Sequence, residues 1–325
     1  MIDPLLHVED LVTSFRTESG WVRAVDGVNF TVERGKTIGV VGESGCGKTV
    51  TAMSIINLLP KPAGNILEGR ILFEGEDLRH AKPKRLREVR GGEIGTIFQE
   101  PMSALNPVHR IGKQLMEAIR LHEKVSKRDC LKRAVELLDK VGIPSPEKRI
   151  FDYPHQLSGG MRQRVMIAMA ICCNPKLLIA DEPTTALDVT VQAQILNLIA
   201  SMQKDLGMAV LLITHDLGVI AENCDEVVVM YAGRVVERAP VLELFANPMH
   251  AYTKGLLASI PRLEHERKSV LQTIEGQVAA IADFVPGCRF CQRMERTGET
   301  LETRPEFRKV ADHHWVETCT ECYDG

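Results

Sequence analysis

Neither sign of charge prevails in this chain. Forty basic side chains face 43 acidic ones, a formal net charge of −3 over 325 residues. That balance offers no long-range pull on a polyanion, whose binding rests largely on phosphate neutralisation, so no nucleic-acid partner is expected. No run of about 18 apolar residues occurs, which excludes a membrane-spanning helix on sequence grounds. Internal repeats and low-complexity tracts are missing too. Met1 to Glu9 mixes acidic with apolar residues and has no signal-peptide pattern, so a reducing cytoplasm is the expected compartment. Five of the nine cysteines (Cys46, Cys130, Cys172, Cys173 and Cys224) are scattered or lie in apolar segments, and read as small hydrophobes.

Hydrophobic residues make up 44% of the chain, enough for a sizeable core. From Leu5 to Val32 apolar and polar residues alternate around Gly20, the pattern of antiparallel strands. Thr37 to Val41 is a short buried strand, followed by a glycine-rich loop and a helix from about Lys48 to Leu58. Helical periodicity returns in two segments between Ile111 and Val141, broken near Ser126, and again over Gly159–Cys173 and Thr190–Lys204. Apolar strand cores fall at Leu177–Ala180 and Ala209–Thr214, and a hairpin at Val227–Glu237 turns on Ala232-Gly233. Strands alternating with helices predict an α/β fold with a parallel core, interrupted by an inserted helical subdomain at about 101–157. The expected division is a first domain over 1–240 and a C-terminal extension over 241–325 with clustered cysteines. The basic stretch Arg79 to Arg87 reads as a solvated helix face.

Three motifs carry chemistry. In Gly42-Glu43-Ser44-Gly45-Cys46-Gly47-Lys48-Thr49 the glycines permit a tight turn whose amide N–H groups point inward, at the positive end of the helix that follows. Lys48 is placed to reach β- and γ-phosphates and Thr49 to offer a hydroxyl to Mg²⁺. Asp181 closes an apolar strand as a second Mg²⁺ partner, and Glu182 follows as a carboxylate able to orient water. Leu157-Ser158-Gly159-Gly160 opens a helix with a good N-cap and bare amides, an anion site.

Together these residues resemble the nucleotide-binding subunits of ABC transporters, over about Leu5 to Pro240. The resemblance implies a P-loop NTPase core of the RecA-like type with an antiparallel β subdomain. It implies that Gln99 touches Mg²⁺ and meets the membrane subunit, that Ala186-Leu187-Asp188 crosses a dimer seam, and that His215 lies near the γ-phosphate. It also implies that Ser158, Gly159 and Gly160 of one cassette face ATP in the loop of another. Glu182, His215 and Gln99 are then the expected catalytic set. Adenine stacking is assigned to Phe15, with Trp21 in reserve. The wording of Gly42–Cys46, Phe98–Pro107 and Asn247–Thr253 looks like the di- and oligopeptide importers, which include nickel members; Ala251 stands where they carry Pro. That branch implies a paralogous ATPase partner, two permease chains, an extracellular solute-binding protein and a place on the cytoplasmic face of the membrane. The rival class is a soluble ABC ATPase, for instance one serving iron–sulfur assembly.

In that branch the extension often holds a [4Fe–4S] cluster on four cysteines. Here Cys288-Arg-Phe-Cys291 and Cys319-Thr-Glu-Cys322 depart from its usual wider spacing, with Met294 near one expected position. Two Cys-x-x-Cys pairs equally satisfy tetrahedral zinc. Resemblance favours iron–sulfur, spacing favours zinc, and iron–sulfur is the expectation taken. His313 and His314 read as solvated surface residues rather than substitute ligands.

Overall fold

The computed structural model describes residues 4–18, 20–99, 104–185, 187–260 and 273–324. Glu100 to Ser103 and Ala186, quoted above, lie outside them. The chain divides into two compact units: Met1–Val32, Thr37–Arg79 and Ile213–Gly325 form the first, and Glu33–Lys36 with His80–Leu212 the second.

In the first unit the expected alternating strands are β1 (Leu6–Thr17) and β2 (Gly20–Val32), paired antiparallel from Leu6↔Val32 to Thr17↔Gly20. The strand β3 spans Thr37–Val41, β4 Gly64–Phe73 and β5 Glu76–Asp77; β4 lies on the other side of β1, giving the order β2-β1-β4-β5. All five residues of β3 are buried. A Cβ on Gly39 would come within 2.3 Å of Ile220 Cδ1, so the helix Leu217–Asn223 packs directly on this strand.

In the second unit β6 (Ile94–Ile97) and β7 (Leu177–Asp181) are parallel, with Ile94↔Leu177 and Ile97↔Ala180 in register. The strand β8 (Ala209–Thr214) neighbours β7, its last two residues belonging to the first unit. The helices Ile111–His122 and Lys127–Lys140 break at Ser126, whose Oγ accepts the Asp129 N–H and caps the second of them. A Cβ on Gly95 would meet Ala170 O at 2.2 Å, so the helix Gly159–Ile171 lies hard against β6. The helix Val189–Leu206 ends on Gly207 in the left-handed conformation.

The last strands return to the first unit: β9 (Glu226–Tyr231), β10 (Arg234–Pro240), β11 (Phe307–Ala311) and β12 (His314–Glu317). Strand order there is β11-β12-β10-β9-β3, with β9 parallel to β3 and antiparallel to β10. Ala232 and Gly233 both have positive φ, 45° and 84°, as the tight hairpin turn requires. The cysteine-bearing tail is built onto this hairpin. Strand β12 pairs with β10 at Glu237↔Val316, and one buried cluster unites Val227, Val229 and Tyr231 with Phe290 and the four tail cysteines. No helix among the described residues is long and apolar enough to cross a membrane.

Asp26 ties the start of the chain to its end. It is 2% exposed and accepts from Arg234 Nε at 2.9 Å and Arg289 Nη2 at 2.7 Å, with Arg304 Nη1 at 3.6 Å. Burial pushes its carboxyl up, but Arg234, Arg289 and Arg304 together prevail and hold it below 3.8. The folded chain therefore holds this proton more weakly than the unfolded one. The stabilisation is whole above about pH 4 and fades as pH falls through the lowered value. Asp26→Asn is expected to cost about 3 kcal/mol in urea unfolding at pH 7, because it strands buried arginines. Its deficit against wild type should shrink below pH 4; a deficit that is small or independent of pH would remove the network from that role.

Candidate functional site

The glycine loop is shaped by close approach. A Cβ on Gly42 would meet Met230 O at 2.1 Å, and one on Gly47, whose φ is +102°, would meet Ala24 O at 2.9 Å. Gly233 N–H donates to Cys46 O and Asp26 N–H to Gly233 O, so β2 and the hairpin turn support the loop from behind. The helix Lys48–Ile55 starts at Gly47. Lys48 is 5% exposed, its Nζ donating to Gly42 O at 2.7 Å and Glu43 O at 3.0 Å. Burial pushes the Cys46 thiol up against the pull of Lys48, which keeps it a neutral packing residue. Ser44, Gly45 and Thr49 are exposed, as is His215 just beyond β8. Asp216 accepts from Gly218 and Val219 N–H and so caps the next helix.

The loop has a second set of partners in the extension. Tyr252 Oη accepts the Glu43 N–H at 3.0 Å, and Arg293 Nη1 donates to Glu43 Oε2 at 2.6 Å. The Asn247–Thr253 motif is what places Tyr252. Glu237, wholly buried, accepts the N–H groups of Met249 (2.7 Å) and His250 (3.0 Å), and His250 Nδ1 accepts the Tyr252 N–H that opens the helix Ala251–Ala258. His314 Nε2 stands 2.8 Å from the same carboxylate. This corrects the surface reading of His314, which is fully buried against the Glu237 carboxylate; His313 is exposed. Sequence reasoning missed Arg293, whose only signal is a place two residues after Cys291.

The second unit holds the other expected residues. Asp181 ends β7, 5% exposed, and Glu182 follows in the left-handed region at φ +46°. Gln99 Nε2 donates to Glu182 Oε2 at 3.0 Å, and Thr185 Oγ1 donates to the same oxygen at 2.8 Å. Two of the three expected catalytic residues are thus in direct contact, with Thr185 as a partner the sequence did not suggest. Ser158 Oγ accepts the Met161 N–H and Asp188 Oδ1 the Val191 N–H, each capping its own helix. These two helix starts are neighbours: a Cβ on Gly160 would lie 3.1 Å from Val191 Cγ1. Ser158, Gly159 and Asp188 are all exposed. In the first unit, Phe15 pairs with Gly64 across β1 and β4, its ring 2.9 Å from where a Gly64 Cβ would stand, while Trp21 is 49% exposed.

Cys288, Cys291, Cys319 and Cys322 converge, their sulfurs all within 4.8 Å of one another and all four residues buried. Cys291 Sγ lies 3.5 Å from Cys319 Sγ and 3.4 Å from Cys322 Sγ, and Cys291 N–H points to Cys288 Sγ. Hydrogen bonds from Cys322 and Cys291 pull Cys288 down to about 5 despite its burial.

A strand, a glycine loop and a helix that draws its first lysine inward define a P-loop nucleotide hydrolase. The particular kind follows from likeness to known proteins. Residues 25–185 match the family described as ABC transporter, and residues 236–299 match the oligopeptide/dipeptide transporter C-terminal region. The chain is 52% identical over 313 residues to a probable peptide ABC transporter ATP-binding protein of Sinorhizobium fredii, covering 96% of this chain and 93% of that one. It is 51% identical over 315 residues to the oligopeptide transport ATP-binding protein OppD of Bacillus subtilis, covering 97% and 88%. Among solved structures it is similar to cbiO1 of Clostridium perfringens, part of the ABC transporter complex cbiONQ, with a TM-score of 0.64 and 30% identity over 76% of this chain and 92% of that one. The dimeric bacterial ABC transporter cassette MJ0796 superposes with a TM-score of 0.65 at 25% identity, over 73% and 98%. The chain belongs to the ABC transporter ATP-binding proteins, in the branch that carries the oligopeptide/dipeptide C-terminal region.

Proposed function

We propose that this protein is the ATP-hydrolysing subunit of a membrane importer of di- or oligopeptides. The observation that carries the reading is the pairing, in one chain, of an ABC transporter match over residues 25–185 with the C-terminal region of oligopeptide/dipeptide transporters. The protein sits on the cytoplasmic face of the membrane beneath two permease subunits, with an extracellular solute-binding protein delivering cargo. A second, paralogous ATPase subunit completes the nucleotide sandwich. Nickel or another small solute as cargo, or a soluble ABC ATPase without permeases, are the competing readings. Extraction in mild detergent decides on the permeases: two polytopic chains should co-isolate with this subunit, and their absence would overturn the importer.

The loop N–H groups and Lys48 hold the phosphates, most of the catalysis being positioning and charge stabilisation. Thr49 of the first unit and Asp181 and Gln99 of the second each offer a hard oxygen donor of the kind that suits Mg²⁺, which when bound would neutralise charge developing on the phosphates. Glu182 orients and polarises water, its carboxylate held in place by hydrogen bonds from Gln99 and Thr185 to Oε2. His215 contacts the γ-phosphate. The helix tip of Ser158, Gly159 and Gly160 caps the nucleotide of the partner cassette, Asp188 lies at the seam, and Phe15 supports adenine. Glu182→Gln is expected to keep ATP binding while turnover falls at least about 100-fold; turnover within a few-fold of wild type would remove Glu182 from that role. Lys48→Ala is expected to weaken binding itself by more than about tenfold, roughly 1.4 kcal/mol, in a titration with ATP.

The four thiolates fit a metal group, being buried, convergent and joined by an N–H···S bond. Their separations suit a single tetrahedral ion, since a Zn–S bond of about 2.3 Å implies sulfurs about 3.8 Å apart. A [4Fe–4S] cluster, the group that resemblance favours, uses the same donors with each sulfur on a different iron. Either group would staple the tail through Cys288, Cys291, Cys319 and Cys322. Protein purified without oxygen is expected to carry stoichiometric iron and sulfide, or else zinc, with the four thiols protected from alkylation. Neither metal, and full labelling of all four, would end the metal reading.

A further inference from the structure

Glu43, the second residue of the glycine loop, is held on both its backbone and its side chain by residues more than 200 positions away. Tyr252 Oη takes its N–H and Arg293 its carboxylate. Neither partner is free to drift. Arg293, 8% exposed, donates Nε to Glu275 O (2.8 Å) and Nη2 to Ile274 O (3.0 Å) before it reaches Glu43. The Tyr252 ring, fully buried, packs on Tyr231 at 4.6 Å and on Phe290 at 5.7 Å between ring centres. Phe290 and Arg293 flank Cys291, so the segment that carries the first thiol pair is the segment that supports the loop. Glu43 O and Gly42 O are in turn the acceptors for Lys48 Nζ. A shift of Glu43 therefore moves the lysine that the phosphates need.

We propose that Arg293 and Tyr252 are positioning residues for the nucleotide. Through Glu43 the C-terminal extension holds the phosphate loop in its binding shape, so that little ordering remains to be done when ATP arrives. The proposal rests on the ATP-binding reading and adds to it that the extension sets nucleotide affinity. A loop left loose must be ordered at the moment of binding, and that cost appears as lost affinity. Removal of a charge-assisted hydrogen bond from a fixed guanidinium is of the size to matter.

The test is titration of the full chain with a fluorescent methylanthraniloyl derivative of ATP in the presence of Mg²⁺. Arg293→Ala is expected to raise Kd about tenfold and Tyr252→Phe a few-fold, each with metal content and alkylatable thiols as in wild type. Arg293→Lys should recover part of the loss. The double variant Arg293→Ala with Glu43→Ala should bind no worse than the weaker of the two singles, because both act through one contact; a merely structural role for Arg293 would give additive losses. Kd values within twofold of wild type for both Arg293→Ala and Tyr252→Phe, or additive losses in the cycle, overturn the proposal, provided that Lys48→Ala has lost binding in the same assay. If Lys48→Ala binds as wild type does, it is the ATP reading that fails, and this one with it. Should Arg293→Ala not purify folded, Tyr252→Phe and Glu43→Gln carry the same comparison.

Discussion

A phosphate-binding loop can spend few of its N–H groups on itself; in this one Cys46 N–H reaches Glu43 O, at 3.3 Å. The groups that would make it rigid by ordinary hydrogen bonding are the ones it must offer to a ligand, so its shape has to be imposed by its surroundings. In this chain the imposition is steric first. Gly42 sits against Met230 O and Gly47 against Ala24 O at distances that admit no side chain. The bonds Gly233 N–H to Cys46 O and Asp26 N–H to Gly233 O then lock the hairpin turn behind the loop. Lys48 completes the arrangement from inside by bridging two loop carbonyls.

The same turn recruits the tail. Arg289 donates to Ala232 O as well as to Asp26, and Arg234 donates to Asp26 and to the carbonyls of Pro286 and Gly287. A carboxylate and two arginines with so little access to water are costly unless they are paired, and here the partners come from β2, from the hairpin and from the start of the cysteine segment. The tail is thereby continuous with the hairpin. Its strand β12 extends the sheet through β10, its cysteines share one apolar cluster with β9, and Glu237 on β10 gathers Met249, His250 and His314.

Much of this was legible in the sequence, because the features concerned are local. The strand–loop–helix around Gly42, the hairpin on Ala232-Gly233, the break at Ser126 and the cap at Ser158 each follow from a few adjacent residues. Resemblance alone put Gln99 and Glu182 in one catalytic set, and their hydrogen bond across 83 positions is a finding of the fold. What stayed hidden depends on long-range pairing. His314 reads as a surface residue until it is found against Glu237. Tyr252 was visible within the Asn247–Thr253 wording, but its hydroxyl's partner, 209 positions away, was not. Arg293 looked like one more polar residue beside a cysteine. A buried ion pair leaves no periodicity, and only the fold brings its members together.

The side chains that lie between the thiols and the loop are of a particular kind. Phe290 meets Tyr231 edge-on at 5.5 Å and Tyr252 at 5.7 Å, and Tyr252 reaches Glu43. Aromatic rings have few rotatable bonds, so they transmit position at a low cost in conformational entropy. Arg293 is a long and flexible side chain by nature, but two backbone carbonyls fix its guanidinium before the carboxylate does. A chain of flexible apolar residues would fill the same space without relating one end to the other. Stiff rings and a clamped guanidinium instead make the geometry of Glu43 a consequence of the geometry of the cysteine segment. That gives the extension a physical reason to share one chain with the glycine loop.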